Sequence, residues 1–217
     1  MQLTTRTFAG RIFAGIATLT LAGAAGLATV PAADAATAAC GSSCTTLAAE
    51  EYGSGDVMSV AGLDLRARHV TLAAAGQNSA EDFRQIYLGT VATLFQDDIV
   101  NSIVGLHWPA DNAYEYEYAP GGSDSGLCLG IPETAVSGAV VNLYACGVDD
   151  RTIWVALSGD SQYGYEPLMN GSDTSVTAPE VLTASSLGDA FTTSGLAVIN
   201  HVLIVSTQMW QTESGVL

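Results

Sequence analysis

Short hydrophobic runs, separated by glycine, asparagine, aspartate and serine, follow one another along the chain after residue 36. They are rich in β-branched and aromatic residues, which favour strands, and no long stretch has the period of about 3.6 residues of an amphipathic helix. Short helical turns are expected at 44–51 and 97–106. The pattern predicts an all-β fold, with strands at 57–60, 69–73, 85–95, 113–118, 126–131, 139–144, 152–157 and 196–205.

Residues 114–118 alternate strictly between tyrosine and glutamate. Successive side chains of a strand point to opposite faces, so the three tyrosines share one face and the two glutamates share the other. We expect the tyrosine face to pack in the core. An aromatic binding platform is the alternative.

Two segments of the chain repeat the same spacing. Phe83 lies eleven residues after Leu72, and Trp154 lies eleven residues after Leu143. In both segments a valine stands two residues before the leucine and a glycine four residues after it. Such self-similarity at a fixed distance is the signature of a fold built from repeated units.

A weaker third copy at 197–199 places Ile199 eleven residues before Trp210. Three copies of roughly 60 residues predict a β-trefoil with three degenerate repeats. We expect its core aromatic residues, Phe83, Trp154 and Trp210, to be buried at equivalent positions of the units 52–110, 111–163 and 164–217.

The chain is strongly acidic, with 22 acidic residues against six basic ones, all of them arginine, and a net charge of −16. Binding of nucleic acid depends on lysine and arginine that neutralise phosphates, so we expect no nucleic acid partner. An anionic membrane surface repels the same charge, so no membrane partner is expected for the mature form. The hydrophobic content of 48% excludes a disordered acidic tail and suits one folded domain.

The first residues have the layout of a secretory signal peptide. Two arginines precede a long uncharged run at 12–30, and Ala33 and Ala35 then offer the small side chains that a signal peptidase needs. We therefore expect residues 1–35 to be removed and 36–217 to be secreted to the extracellular space. A retained membrane anchor is the alternative, since the run is nearly long enough to span a bilayer.

The four cysteines all follow the leader, and an even number in an oxidising compartment favours disulfides, with three possible connectivities. Short spacing favours Cys40–Cys44 and Cys128–Cys146. A metal or redox motif at the first pair is disfavoured, because the spacing differs from that of thioredoxin and no histidine lies near. We expect neither a metal nor a cofactor.

The second unit resembles the ricin-B-type, or QxW, lectin repeat through Leu127-Cys128-Leu129, Gly138, the segment 141–146 and Thr152-Ile153-Trp154. The third unit ends in Gln208-Met209-Trp210, a strict Q-x-W. Across nearly the whole mature chain, CGSSC, EDF, YEYAP, GLCLG, TIW, PLMNGSD and QMW also resemble actinobacterial secreted proteins that carry this trefoil. The resemblance implies a β-trefoil with a lectin-like function.

The resemblance also implies a shallow sugar pocket in each unit, made of a carboxylate, an amide, a stacking aromatic ring and a further polar residue. In the second unit these positions fall on Gly130, Asn142, Tyr144 and Arg151. Because Gly130 stands at the carboxylate position, weak binding is expected, and Gly130→Asp is expected to strengthen it. The other units lack a ring and are expected to form no site; their positions are Ser59, Thr71, Ala73 and Ala80, and Val198 and Asn200.

Two classes of function remain. One is a secreted carbohydrate-binding module with at most one degenerate sugar site, and the other is a non-lectin trefoil that binds an extracellular protein as an inhibitor or surface component. An exposed Tyr144 with Asn142 beside it favours the first, and an inward-packed Tyr144 favours the second. We expect no enzyme activity, because no catalytic motif is present and no pair of carboxylates stands out as that of a glycosidase.

The secreted protein is expected to begin at Ala36, because Ala33 and Ala35 are the small pair nearest the end of the apolar run. Intact-mass measurement of protein recovered from the culture medium checks this. A full-length, membrane-bound product would contradict both the leader and the extracellular location.

Overall fold

The structure is a computed structural model that describes residues 44–61, 69–76, 78–147, 149–199 and 203–214. The predicted signal peptide at 1–35 and Cys40 lie outside the described residues, so the leader and the Cys40–Cys44 disulfide stay predictions. No helix in the described ranges has the length and hydropathy needed to cross a bilayer.

The described chain is built mainly of strands that group into three units. The first unit contains β1 Thr45–Ala49, β2 Asp56–Ala61, β3 His69–Ala74 and β4 Phe83–Thr90. The second contains β5 Asn112–Tyr118, β6 Leu127–Gly130, β7 Asn142–Ala145 and β8 Trp154–Ala156. The third contains β9 Leu168–Asn170, β10 Glu180–Thr183, β11 Thr192–Gly195, a hairpin of β12 Val198–Ile199 and β13 Leu203–Ile204, and finally β14 Trp210–Ser214.

Helical segments are short. Helices α1 Val91–Gln96 and α2 Ser102–His107 lie between the first and second units. Single 3-10 turns occur at Gly53–Gly55, Pro120–Gly122, Asp150–Thr152, Ser158–Asp160 and Ser206–Gln208.

Six strands form a closed barrel. Strands β1, β4, β5, β8 and β9 pair in that order, and β14 pairs with β1. The ring closes where Glu166, just before β9, exchanges backbone hydrogen bonds of 2.9 and 3.0 Å with Trp210. Closure leaves the barrel without an unpaired edge.

The remaining strands form one hairpin in each unit: β2–β3, β6–β7 and β10–β11. The hairpins meet where the backbone N–H of Phe191 donates to the carbonyl of Val70 at 3.0 Å and that of Val141 donates to the carbonyl of Phe191 at 2.9 Å. A six-stranded barrel joined to three hairpins is the β-trefoil architecture, as the sequence predicted.

Phe83, Trp154 and Trp210 each begin the second of the two barrel strands of their unit. Phe83 and Trp154 pair there with the first strand of the same unit, and Trp210 pairs with Glu166, just before β9. Their side chains are buried in one core cluster. The indole N–H of Trp154 donates to the carbonyl of Leu129 at 3.0 Å, and that of Trp210 donates to the carbonyl of Leu182 at 2.9 Å. Both tryptophans therefore join the barrel to the first strand of their hairpin, β6 or β10.

The predicted register of the third repeat is wrong. Leu72 on β3 pairs with a residue of β2, and Leu143 on β7 pairs with a residue of β6. At the same position of the third hairpin, the residue of β11 that pairs with β10 is Thr193. Thr193 lies seventeen residues before Trp210 rather than eleven. The difference arises because the β12–β13 hairpin, which contains the predicted copy at 197–199, is inserted between β11 and β14.

Several predicted elements also differ from the structure. The expected helical turn at 44–51 is strand β1, whose five residues are all buried. The expected strand at 85–95 ends at Thr90, after a bulge at Leu88 that is followed by Gly89 with φ of 126°, and α1 follows the strand. Strands β9, β10 and β11 were not predicted.

The alternating segment of β5 packs on both faces. Tyr116 is fully buried, and Tyr114 and Tyr118 pack partly buried against the core, which confirms the predicted tyrosine face. The glutamates are also buried. Glu115 accepts hydrogen bonds from the N–H of Gly147 and the hydroxyl of Thr152, both 2.7 Å long, and Glu117 accepts one of 2.8 Å from the N–H of Gly126.

The predicted disulfide between Cys128 and Cys146 is present, with the two Cα atoms 4.9 Å apart. It joins β6 to the residue directly after β7 and so closes the hairpin of the second unit. Closing a loop of eighteen residues in this way restricts the unfolded chain and stabilises the folded one.

Replacing Trp154 or Trp210 with phenylalanine keeps a ring but leaves the carbonyl of Leu129 or Leu182 without its buried donor. Each substitution is expected to lower the free energy of unfolding by about 1–3 kcal/mol. Urea denaturation checks this, with Trp108→Phe as the matched control at a half-buried tryptophan outside this core cluster. Equal losses at all three positions would contradict a special role for the indole bonds.

Candidate functional site

Two adjoining depressions lie at the second unit, and the larger one is also lined by residues of β4, α1 and the segment that follows α1. The larger, which we call the acidic cleft, has a volume of about 610 Å³, and the smaller, the tyrosine pocket, about 220 Å³. Asp149 lines both. The tyrosine pocket is lined by Tyr144, Ala145, Asp149, Arg151 and Thr152.

Strand β7 and the 3-10 turn after it build the tyrosine pocket. Tyr144 on β7 is half-buried and belongs to neither of the two large core clusters, so its ring lines the pocket instead of filling the interior. Arg151 comes from the turn Asp150–Thr152. Of the four residues that the lectin resemblance implied, these two do lie together.

Asn142, the implied amide, is engaged elsewhere. It lies two residues before Tyr144 on β7, and its Oδ1 is 3.0 Å from Nδ1 of His69, the first residue of β3. Asn142 therefore links the second hairpin to the first and does not line the tyrosine pocket.

Arg151 and Asp149 form a fixed ion pair. The Nε of Arg151 donates to both carboxylate oxygens of Asp149, at 2.8 and 2.9 Å, and its Nη2 makes a further contact. The backbone N–H of Arg151 also donates to Asp149 Oδ1 at 3.0 Å. These hydrogen bonds from Arg151 lower the pKa of Asp149. The pocket therefore presents a carboxylate and a guanidinium side by side.

Strands β5 and β9 hold the turn in place. The side-chain amide of Asn170 donates to the carbonyl of Arg151 at 3.0 Å, and the N–H of Gly171 donates to the carbonyl of Ile153 at 2.8 Å. The hydroxyl of Thr152 donates to Glu115 on β5 at 2.7 Å. The ion pair is thus placed before any ligand arrives, which lowers the cost of ordering it.

Sequence reasoning did not select Asp149 as a site residue. An aspartate two residues before an arginine looks like an ordinary turn, and here it does cap the turn Asp150–Thr152. Its place in the site depends on the fold of β5, β7 and β9 around that turn. Only the short Asp-x-Arg spacing offered a signal in the sequence.

Gly130 has no room for a side chain. A Cβ built there would lie 2.9 Å from the backbone carbonyl oxygen of Arg151, 3.1 Å from Cγ2 of Thr152 and 3.2 Å from Cδ2 of Tyr144. This geometry argues against the expectation that Gly130→Asp strengthens binding, because the added carbon would displace the turn and the ring that form the pocket.

The acidic cleft is lined by both carboxylates and apolar side chains. Its acidic lining consists of Asp97, Asp98, Glu115, Asp149 and Asp150. Burial, and then the charge of Asp149, raise the pKa of Asp150. Within the part of the chain that the structure describes, no three Asp, Glu, His or Cys side chains are arranged to hold a metal ion.

The first and third units offer no comparable pocket residue at the position of Tyr144. The register of the hairpins places Ala73 and Ser194 there. The implied third-unit position Val198 is wrong in register, since Val198 belongs to the inserted hairpin. The other implied position, Asn200, lies outside the described residues. The ring that defines the pocket is therefore specific to the second unit.

The fold is similar to that of ThreeFoil, a designed 3-fold symmetric protein, with 16% identity, a TM-score of 0.51, and coverage of 79% of this chain and 98% of that one. It is also similar to part of a mosquitocidal holotoxin, with 14% identity, a TM-score of 0.54, and coverage of 80% of this chain and 17% of that one. A third protein, described as BEL beta-trefoil, has 15% identity, a TM-score of 0.48, and coverage of 78% and 91%.

Neither a protein-family model nor a curated protein matches the chain. At 16% and 14% identity, the two structures with the higher TM-scores show that the fold is shared. They do not carry a function over to this chain, because one fold hosts many unrelated functions.

Gly130→Asp is expected to destabilise the protein by about 1–3 kcal/mol, because its Cβ meets backbone at 2.9 Å. Thermal unfolding measures the loss. Gly55→Asp is the control, since a Cβ at Gly55 meets no atom within 4 Å. A stable Gly130→Asp variant would show that the turn can move and that the implied carboxylate position is usable after all.

Proposed function

We propose that this chain is an exported carbohydrate-binding module of the ricin-B type, with a single sugar site in the tyrosine pocket. One observation carries the proposal: the ring of Tyr144 and the ion pair of Asp149 and Arg151 line the same pocket. A ring covers the apolar face of a sugar, while a carboxylate accepts and a guanidinium donates hydrogen bonds to its hydroxyls. Binding, and not catalysis, is the proposed activity.

Asp149 supplies the acceptor that the lectin resemblance implied at Gly130. Its carboxylate comes from the turn after β7 instead of from β6, and it reaches the same pocket that Gly130 underlies. The glycine is then a packing requirement of this version of the site, because it allows Tyr144 and the carbonyl of Arg151 to approach β6.

The size of the tyrosine pocket suits one sugar residue. Its 220 Å³ lie below the range of about 300–1,000 Å³ that is usual for drug-sized ligands. Because Asp149 lines both depressions, further residues of an oligosaccharide would extend into the acidic cleft. There the carboxylates accept hydrogen bonds from hydroxyls.

The charge of the chain selects among glycans. The net charge of −16 and the carboxylates of the acidic cleft repel sulfated and carboxylated sugars. The ligand that we propose is therefore a neutral oligosaccharide.

Binding of an extracellular protein remains the second candidate function, and the inserted hairpin favours it. Val198 is 53% and Leu203 45% exposed, on strands that pair only with each other in the described chain. No aspartate, glutamate, lysine or arginine occurs from 190 to 212. An uncharged apolar hairpin on an otherwise acidic protein is typical of a protein contact surface.

A glycan array probed with the secreted protein tests the sugar site. Tyr144→Ala is expected to weaken binding of neutral oligosaccharides at least about tenfold, the equivalent of about 1.4 kcal/mol, because the stacking surface is lost. Tyr163→Ala is the matched control, since Tyr163 is 84% exposed and lines neither depression.

The outcomes of the array distinguish between the two candidate functions. Binding that survives Tyr144→Ala would place the site elsewhere and remove the argument from the tyrosine pocket. A preference for sulfated over neutral glycans would contradict the charge argument. If the native protein retains no glycan, and the double variant Val198→Ser with Leu203→Ser abolishes its capture of an extracellular protein, the second candidate function replaces the first.

A further inference from the structure

The acidic cleft contains a buried carboxylate that is bonded at one oxygen only. Glu115 is 5% exposed, and its Oε1 accepts the N–H of Gly147 and the hydroxyl of Thr152, each at 2.7 Å. Its Oε2 has no hydrogen-bond partner among the described residues. The fully enclosed side-chain atoms without a partner in those residues are Oδ2 of Asp173 and Oε2 of Glu180. Oε2 of Glu115 is therefore open to the cleft that this residue lines, where a ligand can pair it.

Four further carboxylates line the cleft, and among the described residues only Asp149 forms an ion pair, with Arg151. Asp97 and Asp98 are exposed and follow the last residue of α1, where the carbonyl groups at the end of a helix disfavour negative charge. Asp150 is half-buried beside Asp149, whose charge repels it. The cleft therefore gathers negative charge that its own side chains do not neutralise.

The described chain has no arginine left to fill the cleft. The sequence contains no lysine. Both arginines that the structure describes are in ion pairs, Arg84 with Glu117 and Asp124, and Arg151 with Asp149. No histidine lines the cleft. A positive charge that balances the cleft therefore comes from outside the described residues.

Apolar side chains line the same cleft: Leu88, Leu94, Ile99 and Ile153. A bare metal ion makes no use of such a wall, and in the described ranges no three acidic, histidine or cysteine side chains are arranged to hold a metal. A methylene chain does use it, because the chain packs on apolar surface while a terminal ammonium group stays with polar partners. The volume of about 610 Å³ lies within the range of about 300–1,000 Å³ of sites for drug-sized ligands.

We propose that the acidic cleft binds an aliphatic polyamine, in which two or more ammonium groups are joined by methylene chains, and that one ammonium group pairs with Oε2 of Glu115. The same chemistry occurs in free polyamines and in the neighbouring lysine side chains of a basic peptide. The inference goes beyond the proposed sugar binding and does not depend on it.

The carboxylates contribute unequally. An ammonium group has three donors and no acceptor, and its hydrogen bonds to carboxylates are strong because both partners are charged. Glu115 is largely shielded from water, and its bonds at Oε1 hold Oε2 in place before a ligand arrives. Asp97 and Asp98 are exposed, so salt screens their attraction. Binding is therefore expected to weaken with ionic strength and to depend most on Glu115.

The polyamine and the sugar use adjoining space. Tyr144 lines the tyrosine pocket and not the acidic cleft, so Tyr144→Ala is expected to weaken sugar binding and to leave polyamine binding unchanged. Failure of either binding activity is thus distinguishable from failure of the other. A long oligosaccharide that extends into the cleft is expected to compete with the polyamine.

Calorimetric titration of the secreted protein with spermidine at low ionic strength tests the proposal. We expect one saturable site, and at least about tenfold weaker binding to Glu115→Gln. Glutamine keeps an oxygen that accepts from Gly147 and Thr152, and it places an amide N–H₂ where the free oxygen was. The matched control is Glu117→Gln, which removes the same charge from a buried glutamate of β5 that lines neither depression.

A second pair of variants tests the apolar wall. Ile99, which is 39% exposed, lines the cleft, and Ile99→Ser is expected to weaken spermidine binding by up to about fourfold for each methylene group that loses its contact. The control is Val136→Ser, at a residue that is 58% exposed and lines neither depression. Unchanged affinity of Ile99→Ser would contradict a ligand with an apolar chain.

Three other results would overturn the proposal. Absence of saturable spermidine binding would remove the site. Equal weakening by Glu115→Gln and Glu117→Gln would show that the overall charge accounts for binding. Displacement of spermidine by an equal concentration of calcium would show a metal site instead. Titration with a trilysine peptide identifies the source of the ligand, since tighter binding of the peptide indicates a basic protein partner and tighter binding of spermidine a free polyamine.

Discussion

The fold depends on one contact that is made once in each unit, the pairing of an aromatic residue at the start of the second barrel strand with the beginning of the unit's first barrel strand. Phe83, Trp154 and Trp210 make this contact in a shared core. In the second and third units the indole N–H also bonds the hairpin, so barrel and hairpin cannot shift independently. Three such contacts fix the ends of every unit and leave the connections between strands free to vary in length and sequence.

That freedom explains why the candidate site occurs in one unit. The second hairpin is closed by the Cys128–Cys146 disulfide and carries Tyr144, where the other hairpins have the small residues Ala73 and Ser194. The missing side chain at Gly130 lets the ring and the turn after β7 approach β6. Glycine, ring and ion pair therefore depend on one another, and a change at one position alters the space available to the rest.

The sequence predicted what depends on short, regular spacing. Eleven residues separate leucine and aromatic in two units because the chain returns from hairpin to barrel over the same distance. In the third unit the inserted β12–β13 hairpin lengthens this return, and its own hydrophobic run happened to stand at the expected distance. Strands of three or four residues, such as β9 and Thr192–Gly195, hold too few alternating positions to be recognised. Asp149 lines the pocket only because β5, β7 and β9, which are far apart in the sequence, surround its turn in the fold.

The role of each acidic residue likewise depends on the hydrogen-bond partners of its carboxylate. Glu115 and Glu117, which alternation places opposite the tyrosine core face, are buried and accept hydrogen bonds from N–H and O–H groups of their own unit. Asp149 is held by Arg151 at a pocket open to ligands. In Asp173 and Glu180, one buried carboxylate oxygen of each residue has no hydrogen-bond donor. Buried carboxylates with donors fix the fold, and an exposed ion pair offers both hydrogen-bonding roles to a ligand.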